Sequence, residues 1–230
     1  GIAWKAIFDK QPLQSIGAIK INQRNPDEIW VGTGEGNPRN SHNTGQGLYR
    51  SRDGGDTWEL VGLEETQNIH RIIVHRDNPD IVYVGAMGSI WGPNPERGVF
   101  RTEDGGKTWE HVLKVADGVG IADLVVDPTN PDKLLAAMWE FDRDPWYFNS
   151  GGPQSGLYMT YDGGDTWVQR TAEDGLPKGD LGRIGLAIAP SEPNIIYALI
   201  EAKVNGLYKS TDGGKKWNLV SEKNIGNRPF

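Results

Sequence analysis

The sequence predicts an all-β fold in which a four-stranded unit repeats as the blades of a β-propeller, and three observations support this. The 31 glycines and 14 prolines among 230 residues indicate frequent turns. The aromatic content of 9% is too high for a disordered segment. A motif ending in tryptophan occurs four times at intervals of about 50 residues, a period typical of propellers and other arrays.

Each copy of the motif contains a serine or threonine, an aspartate, two glycines and a tryptophan, as in the segment 51–58. The glycines accept positive φ and the aspartate can bond nearby amides, so the motif predicts a tight hairpin pinned by its tryptophan. The predicted structural residues are Asp53, Trp58, Asp104, Trp109, Asp162, Trp167, Asp212 and Trp217. A second turn motif keeps step with the first, at Asn25-Pro26-Asp27, Asn78-Pro79-Asp80, Asn130-Pro131-Asp132 and Glu192-Pro193-Asn194.

Each repeat predicts four short antiparallel strands and almost no α-helix. Apolar runs before and after the second turn motif give two strands, and the Gly-Leu-Tyr segment and the stretch from the tryptophan give two more. The first two strands are expected at 16–21 and 29–31, 72–74 and 81–84, 124–126 and 134–137, and 184–188 and 195–199. One propeller segment over residues 1–230 is expected, with approximate blades at 10–62, 63–114, 115–171 and 172–221.

Both ends of the sequence resemble parts of further blades. Gly1-Ile2-Ala3-Trp4 matches the end of the hairpin motif, and Asn227-Arg228-Pro229-Phe230 resembles the entry to a next blade. This pattern favours an open arc over a closed four-bladed ring. The remaining blades of a larger propeller are therefore expected partners.

Composition excludes several classes of function. The net charge is -7 and the basic residues are scattered, which argues against a nucleic-acid partner. No apolar run is long enough to span a membrane. The absence of cysteine excludes disulfides and thiolate chemistry, and the four histidines lack metal-ligand spacing, so neither a metal nor a cofactor is expected.

The topology of a four-stranded blade predicts which face carries function. The two turn motifs lie two strands apart, so they share one face of the disc, while the remaining loops share the other. These remaining loops are longer and dissimilar, at 35–46, 87–97, 139–155, 114–120 and 170–181. Binding residues concentrate on variable loops held by a rigid scaffold, so a site is expected on the long-loop face.

The hairpin motif resembles the Asp-box, or bacterial neuraminidase repeat, of sialidases, xyloglucanases, photosystem assembly propellers and sortilin-type receptors. The fourth copy departs from it, with Lys216 at the threonine position. Together with stretches such as 91–94 and 148–153, the boxes look most similar to secreted bacterial proteins with a sortilin-like N-terminal propeller. The resemblance implies a secreted, periplasmic or cell-surface location. It says little about activity, because an Asp-box marks blade architecture and not chemistry.

Aromatic residues of the long loops are candidates for ligand binding. Flat rings with a polar tip suit stacking on sugars or anchoring of a protein partner. The candidates are Trp91, Trp139, Trp146 and Tyr147. The alternative is that these rings only anchor the loops themselves.

Charged residues near the same face are candidates for catalysis or for binding. A glycosidase needs two carboxylates flanking the scissile bond, and Asp123 with Glu140 or Asp142 are the candidates. Arg71 and Arg183 enter the inner strands and can bind an acidic ligand, although the Arg-Ile-Pro signature of sialidases is absent. Ion pairs at the rim of a channel would explain all five residues without catalysis.

Two functions remain open at the level of sequence. The first is a non-catalytic binding or scaffold module for a protein or carbohydrate partner. The alternative is a glycoside hydrolase with paired carboxylates on the long-loop face. Hydrolysis lost on removal of a carboxylate would separate the two.

Overall fold

The computed structural model describes residues 3–226. The predicted fragment at Asn227-Arg228-Pro229-Phe230 lies outside these residues, as do the first two residues of the fragment Gly1-Ile2-Ala3-Trp4. The described chain contains strands and two single-turn 3-10 segments, Glu64–Thr66 and Ala172–Asp174, with no α-helix in this part. The all-β prediction is confirmed. Among residues 3–226, no helix has the length and apolar character needed to cross a membrane.

Four antiparallel sheets follow one another along the chain. The first contains β1 (Ile16–Ile21), β2 (Ile29–Thr33), β3 (Leu48–Ser51) and β4 (Glu59–Leu60), and the second contains β5 (Ile69–Val74), β6 (Val82–Ala86), β7 (Gly98–Thr102) and β8 (Glu110–Leu113). The third contains β9 (Val119–Val126), β10 (Leu134–Asp144), β11 (Tyr147–Ser150), β12 (Gly156–Thr160) and β13 (Val168–Arg170). The fourth contains β14 (Ile184–Ile188), β15 (Ile196–Ile200), β16 (Gly206–Ser210) and β17 (Asn218–Ser221).

The first strand of each sheet is the inner strand. β1 contacts β5, β5 contacts β9, and β9 contacts β14. Residues from all four inner strands line one central cavity of about 580 Å³. The sheets are therefore blades placed side by side around a channel, as the repeats predict.

The Asp-box side chains hold their turn as the motif predicts. In the first box the Ser51 hydroxyl accepts a hydrogen bond from Gly55 N at 2.8 Å. The Asp53 carboxylate accepts from the Thr57 amide at 2.9 Å and from its hydroxyl at 2.6 Å. Gly54 and Gly55 adopt φ of 68° and 93°, which favours glycine at both positions. These bonds, the Thr57 hydroxyl first, lower the pKa of Asp53 to about 2.

The two turn motifs of each blade lie on the same face, which confirms the prediction. In every sheet the first glycine of the box donates its amide to a carbonyl of the second turn, at 2.9 to 3.0 Å. The four pairs are Gly54 with Asp27, Gly105 with Asp80, Gly163 with Asp132, and Gly213 with Asn194. The longer loops are left at the opposite edge of the sheets.

Neighbouring blades are joined through the boxes. Arg50 of β3 donates to Gly105 O at 2.8 Å, and Arg101 of β7 donates to Gly163 O at 2.9 Å. Each arginine is paired across its sheet with an aromatic residue of the second strand, Trp30 or Tyr83. A cation and an aromatic ring on one blade thus contact the box of the next blade.

The predicted loop at 139–155 is corrected by the structure. β10 runs on to Asp144 and pairs with β11, so most of this segment is a β-hairpin. Trp139 and Phe141, two residues apart, are both buried, as expected for one face of a β-strand. The strand therefore continues into a segment whose polar residues predicted a loop. Asp123 was expected at the start of an inner strand, but β9 begins four residues earlier, at Val119.

Candidate functional site

A cluster of charged side chains lies on the long-loop face at the mouth of the channel. It lines a cavity of about 370 Å³ between the inner strands of the second, third and fourth blades. Arg71 enters from β5, Asp123 from β9, and Arg183 from the residue before β14. The structure thus brings together three of the residues that the sequence analysis singled out.

Asp123 is held firmly in this cluster. Its Oδ1 accepts from Arg71 Nε at 2.7 Å and from Leu124 N at 2.9 Å, and its Oδ2 accepts from Leu186 N at 2.9 Å. Both carboxylate oxygens are therefore engaged by donors. This carboxylate neutralises Arg71 and ties β5, β9 and β14 together, which suits a structural role better than proton transfer.

Arg183 is the less compensated of the two arginines. Its Nη1 donates to Asn37 Oδ1 at 2.8 Å, and its guanidinium lies 5.2 Å from the centre of the Trp139 ring. Among residues 3–226 it forms no ion pair within 4.0 Å. Burial, and then the charge of Arg71, lower the pKa of Arg183. A partly buried cation with one neutral side-chain acceptor can bind an anion.

His70 lies beside the same arginines and is neutral at physiological pH. Burial, followed by the charges of Arg71 and Arg183, lowers its pKa to about 3. Neither ring nitrogen has a hydrogen-bond partner within the described chain. A neutral imidazole avoids adding a third positive charge to the cluster.

A second cleft, of about 630 Å³, opens between the third and fourth blades. Glu140 on β10 and Glu201 after β15 both line it. Glu140 Oε2 accepts from Gln154 N at 2.9 Å, while Glu201 Oε2 accepts from Ser150 Oγ at 2.6 Å and from Arg183 N at 2.8 Å. The Oε1 atom of each glutamate has no hydrogen bond within residues 3–226, so each has one oxygen available for chemistry.

Two glycines make room for these carboxylates. A Cβ at Gly152 would overlap the Glu140 carboxylate, and one at Gly182 would overlap the Glu201 carboxylate. The two segments are bridged to each other, because Gly152 N donates to Leu181 O at 3.1 Å. A third carboxylate, Asp180, and two cations, Lys178 and Lys203, also line the cleft.

The other predicted residues lie elsewhere on the long-loop face. Trp146 and Tyr147 are exposed at the tip of the β10–β11 hairpin, and Trp91 is partly exposed on the loop after β6. Asp142 is exposed on β10, outside both cavities. Trp139 is fully buried in β10 and supports Arg183 from below, so its indole is part of the core and not a free stacking surface.

Glu201 is the residue that the sequence analysis missed. Glu140 was a candidate because it lies in a segment expected to be a long loop. Glu201 directly follows the second strand of the fourth blade, where the loop is short. A search for acidic residues directly after every second strand would have found it. Among residues 3–226, no group of histidine, aspartate or glutamate side chains is placed to hold a metal ion.

A comparison with models of protein families shows which family the chain belongs to. The model described as sortilin, neurotensin receptor 3, matches residues 46–175 and again 97–227. These matches together extend over well more than half of the sequence. The chain belongs to the Sortilin-Vps10 family. The predicted resemblance to sortilin-like propellers is confirmed at this level.

Curated relatives of this Sortilin-Vps10 chain include xyloglucanases. A xyloglucanase of Paenibacillus sp is 28% identical over 191 residues, 77% of this chain and 15% of that protein. A probable oligoxyloglucan-reducing end-specific xyloglucanase of Neosartorya fischeri is 25% identical over 236 residues, 89% of this chain and 27% of that protein. The chain therefore spans only 15% and 27% of the length of these two relatives.

Solved structures show the same fold for this Sortilin-Vps10 chain. An ancestral GH74 enzyme matches with a TM-score of 0.64 at 16% identity, covering 91% of this chain and 24% of the other. The GH74 xyloglucanase from Xanthomonas campestris matches with a TM-score of 0.64 at 18% identity, covering 88% and 29%. At these identities the likeness concerns the propeller blades alone.

Proposed function

We propose that this chain is part of a glycoside hydrolase whose substrate lies on the long-loop face, with xyloglucan or a related polysaccharide as the substrate class. The observation that carries the proposal is the cleft of about 630 Å³ that holds Glu140 and Glu201. The relatives named as xyloglucanases support it, since they match most of the chain. This reverses the order of the two functions left open by the sequence, where a non-catalytic module stood first.

The chemistry assigned to the two glutamates follows from their surroundings. Glycoside hydrolysis needs one carboxylic acid to protonate the leaving oxygen and one carboxylate to activate water or attack the sugar. Glu140 and Glu201 each keep one oxygen free, whereas Asp123 has both engaged. The predicted pairing of Asp123 with Glu140 is therefore replaced by a pairing of Glu140 with Glu201 in this proposal.

The test measures new reducing ends on xyloglucan and on a polysaccharide panel, with the full-length protein. E140Q and E201Q should each lower turnover by about 10²- to 10⁴-fold, the usual contribution of a general acid or base. E192Q is the matched control, because Glu192 lies in a turn on the opposite face. Full turnover in both glutamate variants would overturn the assignment.

An aryl glycoside with a good leaving group separates the two roles. Such a substrate needs little protonation, so the variant that lacks the acid should regain much of its rate on it. The variant that lacks the base or nucleophile should stay inactive on both substrates. Equal losses on both substrates for both variants would contradict an acid–base pair.

The second candidate is carbohydrate binding without turnover. It is favoured by the arginine cavity. Asp123, the only carboxylate among the described residues that line it, accepts hydrogen bonds from three donors, while Arg183 has no ion pair among those residues. Binding of a polysaccharide by wild-type protein that releases no sugar would support this candidate and exclude the first. A protein partner on the same face would show as binding that free oligosaccharides do not compete.

The remaining blades of a larger propeller belong to the same proposal. Trp109 Nε1 donates to Val61 O of the preceding blade at 2.8 Å, and Trp58 Nε1 donates to Ile7 O at 2.7 Å. The segment containing Ile7 thus takes the place of the outer strand of a preceding blade. A secreted, periplasmic or cell-surface location fits as well, because a polysaccharide is too large to cross a membrane unaided.

A further inference from the structure

A third cavity, of about 420 Å³, adjoins the arginine cluster and is lined by three guanidinium groups. Arg39 comes from the loop after β2, Arg143 from β10, and Arg183 from the start of β14. The loop of the first blade therefore reaches across the channel mouth to the third and fourth blades. Phe148 supplies an aromatic wall, and no carboxylate is among the described residues that line this cavity.

Two of the three cations, Arg143 and Arg183, are incompletely compensated among the described residues. Arg183 has Asn37 Oδ1 as its acceptor and no ion pair in the described chain. Arg143 donates to Tyr147 O at 3.4 Å, lies 5.4 Å from the centre of the Phe148 ring, and has a buried Nε without a partner. Arg39 pairs with Glu35 at 3.2 Å but is largely exposed. In a chain of net charge -7, such a group of arginines marks an anion site.

We propose that this cavity binds the carboxylate of an acidic sugar, a uronic acid residue within the polysaccharide that lies on the long-loop face. The inference rests on the proposed function, because it takes the ligand to be a glycan. Guanidinium groups recognise a carboxylate in a bidentate manner, and Arg143 and Arg183 both line the cavity. Xyloglucan is neutral and would leave these arginines without a counter-charge, so the acidic sugar assigns the ligand to the related polysaccharides within the proposed function.

The position of the cavity relates it to the catalytic cleft. Arg183 lines the acidic-sugar cavity with its side chain, and its backbone amide donates to Glu201 Oε2 at 2.8 Å. The same residue thus joins the anion site to one of the two glutamates. The uronic acid is expected close to the scissile bond, so this site would select where along an acidic polysaccharide the enzyme cuts.

The experiment measures binding by calorimetry with the full-length E140Q variant, so the readout does not depend on turnover. The ligands are glucuronic acid-bearing xylan fragments and the same fragments with their carboxyl groups reduced to alcohols. We expect at least tenfold weaker binding of the reduced fragments. R183Q and R143Q should each remove most of this difference, while R76Q, an exposed arginine on the opposite face, should retain it.

The outcomes separate this inference from the proposed function. Equal affinity for acidic and reduced fragments overturns the acidic-sugar site, whether or not xyloglucan is cleaved. An unchanged preference in both arginine variants, with native melting temperatures, also overturns it. Tighter binding of an acidic peptide than of the acidic fragments would assign the cavity to a protein ligand instead. Failure of every polysaccharide to be cleaved, with the preference intact, leaves an acidic-glycan binding module.

Discussion

Hydrogen-bond saturation separates three of the four Asp-box aspartates, and Asp123, from the glutamates proposed for chemistry. The aspartates of the first three boxes bond through both oxygens to donors of their own turn, as Asp104 does with Thr102 and Thr108. Asp123 follows the same pattern across three inner strands. Asp212 bonds through Oδ1 only, because Lys216 replaces the threonine of the motif. Glu140 and Glu201 each leave one oxygen without such a donor. At the residue scale, two engaged oxygens therefore indicate a structural role, as in the three boxes that keep their threonine.

The Asp-boxes should make the stability of the protein sensitive to acid. Hydrogen bonds from Thr108, first through its backbone amide, lower the pKa of Asp104 from 3.8 to about 2 in the folded state. The folded pKa lies below the unfolded one, so the stabilisation is complete above pH 3.8 and is lost as pH falls towards 2. D104N should lower the melting temperature at pH 7 and reduce its further fall between pH 5 and pH 2.

Thermal denaturation at several pH values tests this, with D9N at an exposed site as the control. The control should follow the wild-type curve at every pH. A variant D104N that melts like the wild type at pH 7 would show that the box carboxylate contributes nothing to the folded state.

Gly182 should matter for both activity and stability. A methyl group there would overlap the Glu201 side chain and displace its carboxylate. G182A should lower the free energy of unfolding by about 1–3 kcal/mol, because Ser150 Oγ and Arg183 N lose their acceptor. Turnover of xyloglucan should fall at least tenfold, since the carboxylate is displaced from the cleft. G118A is the matched control, because a Cβ at Gly118 meets open space. Equal turnover in the two variants would argue against Glu201.

At the scale of elements, the β10–β11 hairpin links the core to the functional face. Its base is buried, where Trp139 contacts Phe141 and supports Arg183. Its middle carries Arg143 into the proposed acidic-sugar cavity, and its tip exposes Trp146. One hairpin thus contributes to the core, to the anion site and to the outer surface. The binding roles predicted for Trp91, Trp146 and Tyr147 stay predictions.

The two tryptophans of this hairpin should respond very differently to truncation. Trp139 is fully buried, so W139A should cost about 3–5 kcal/mol of unfolding free energy. Trp146 is 85% exposed, so W146A should change it by about 0.5 kcal/mol or less. Urea denaturation of both variants measures the contrast. Losses of similar size would mean that the hairpin tip packs on another part of the molecule.

At the scale of the whole molecule, the repeats made the strands and their faces predictable. The Asp-boxes and the second turns recur in sequence, so their shared face follows from strand alternation alone. The hairpin beyond Trp139 was not predictable, because Asp142, Arg143 and Asp144 have the composition of a loop and pair only through β11. The shared cavity of Arg39, Arg143 and Arg183 was also not predictable from the sequence. Residues that come together across the channel mouth leave no repeating pattern in the sequence.

The blade boundaries provide a whole-molecule prediction. The residue just before the serine or threonine of each Asp-box occupies the same structural position in all four blades. Arg50 and Arg101 occupy it in the first two blades and bond the next box, while Met159 packs against Gly214 in the third. Lys209 occupies it in the fourth, 5.6 Å from the Tyr197 ring centre, and contacts no box among residues 3–226.

Truncation of Arg101 and truncation of Lys209 should therefore lower the free energy of unfolding by different amounts. Arg101 is buried and donates to Gly163 O, Asp165 and Glu110, so R101A should cost about 1.5–3 kcal/mol. K209A loses only a cation–π contact, about 0.5 kcal/mol at an exposed site. Urea denaturation of this chain gives both values. Hydrogen exchange should show faster opening of the second and third blades in R101A, since contacts between repeats stabilise both neighbours. Losses of equal size would contradict this prediction, because they would mean that Lys209 stabilises the protein as strongly as Arg101 does.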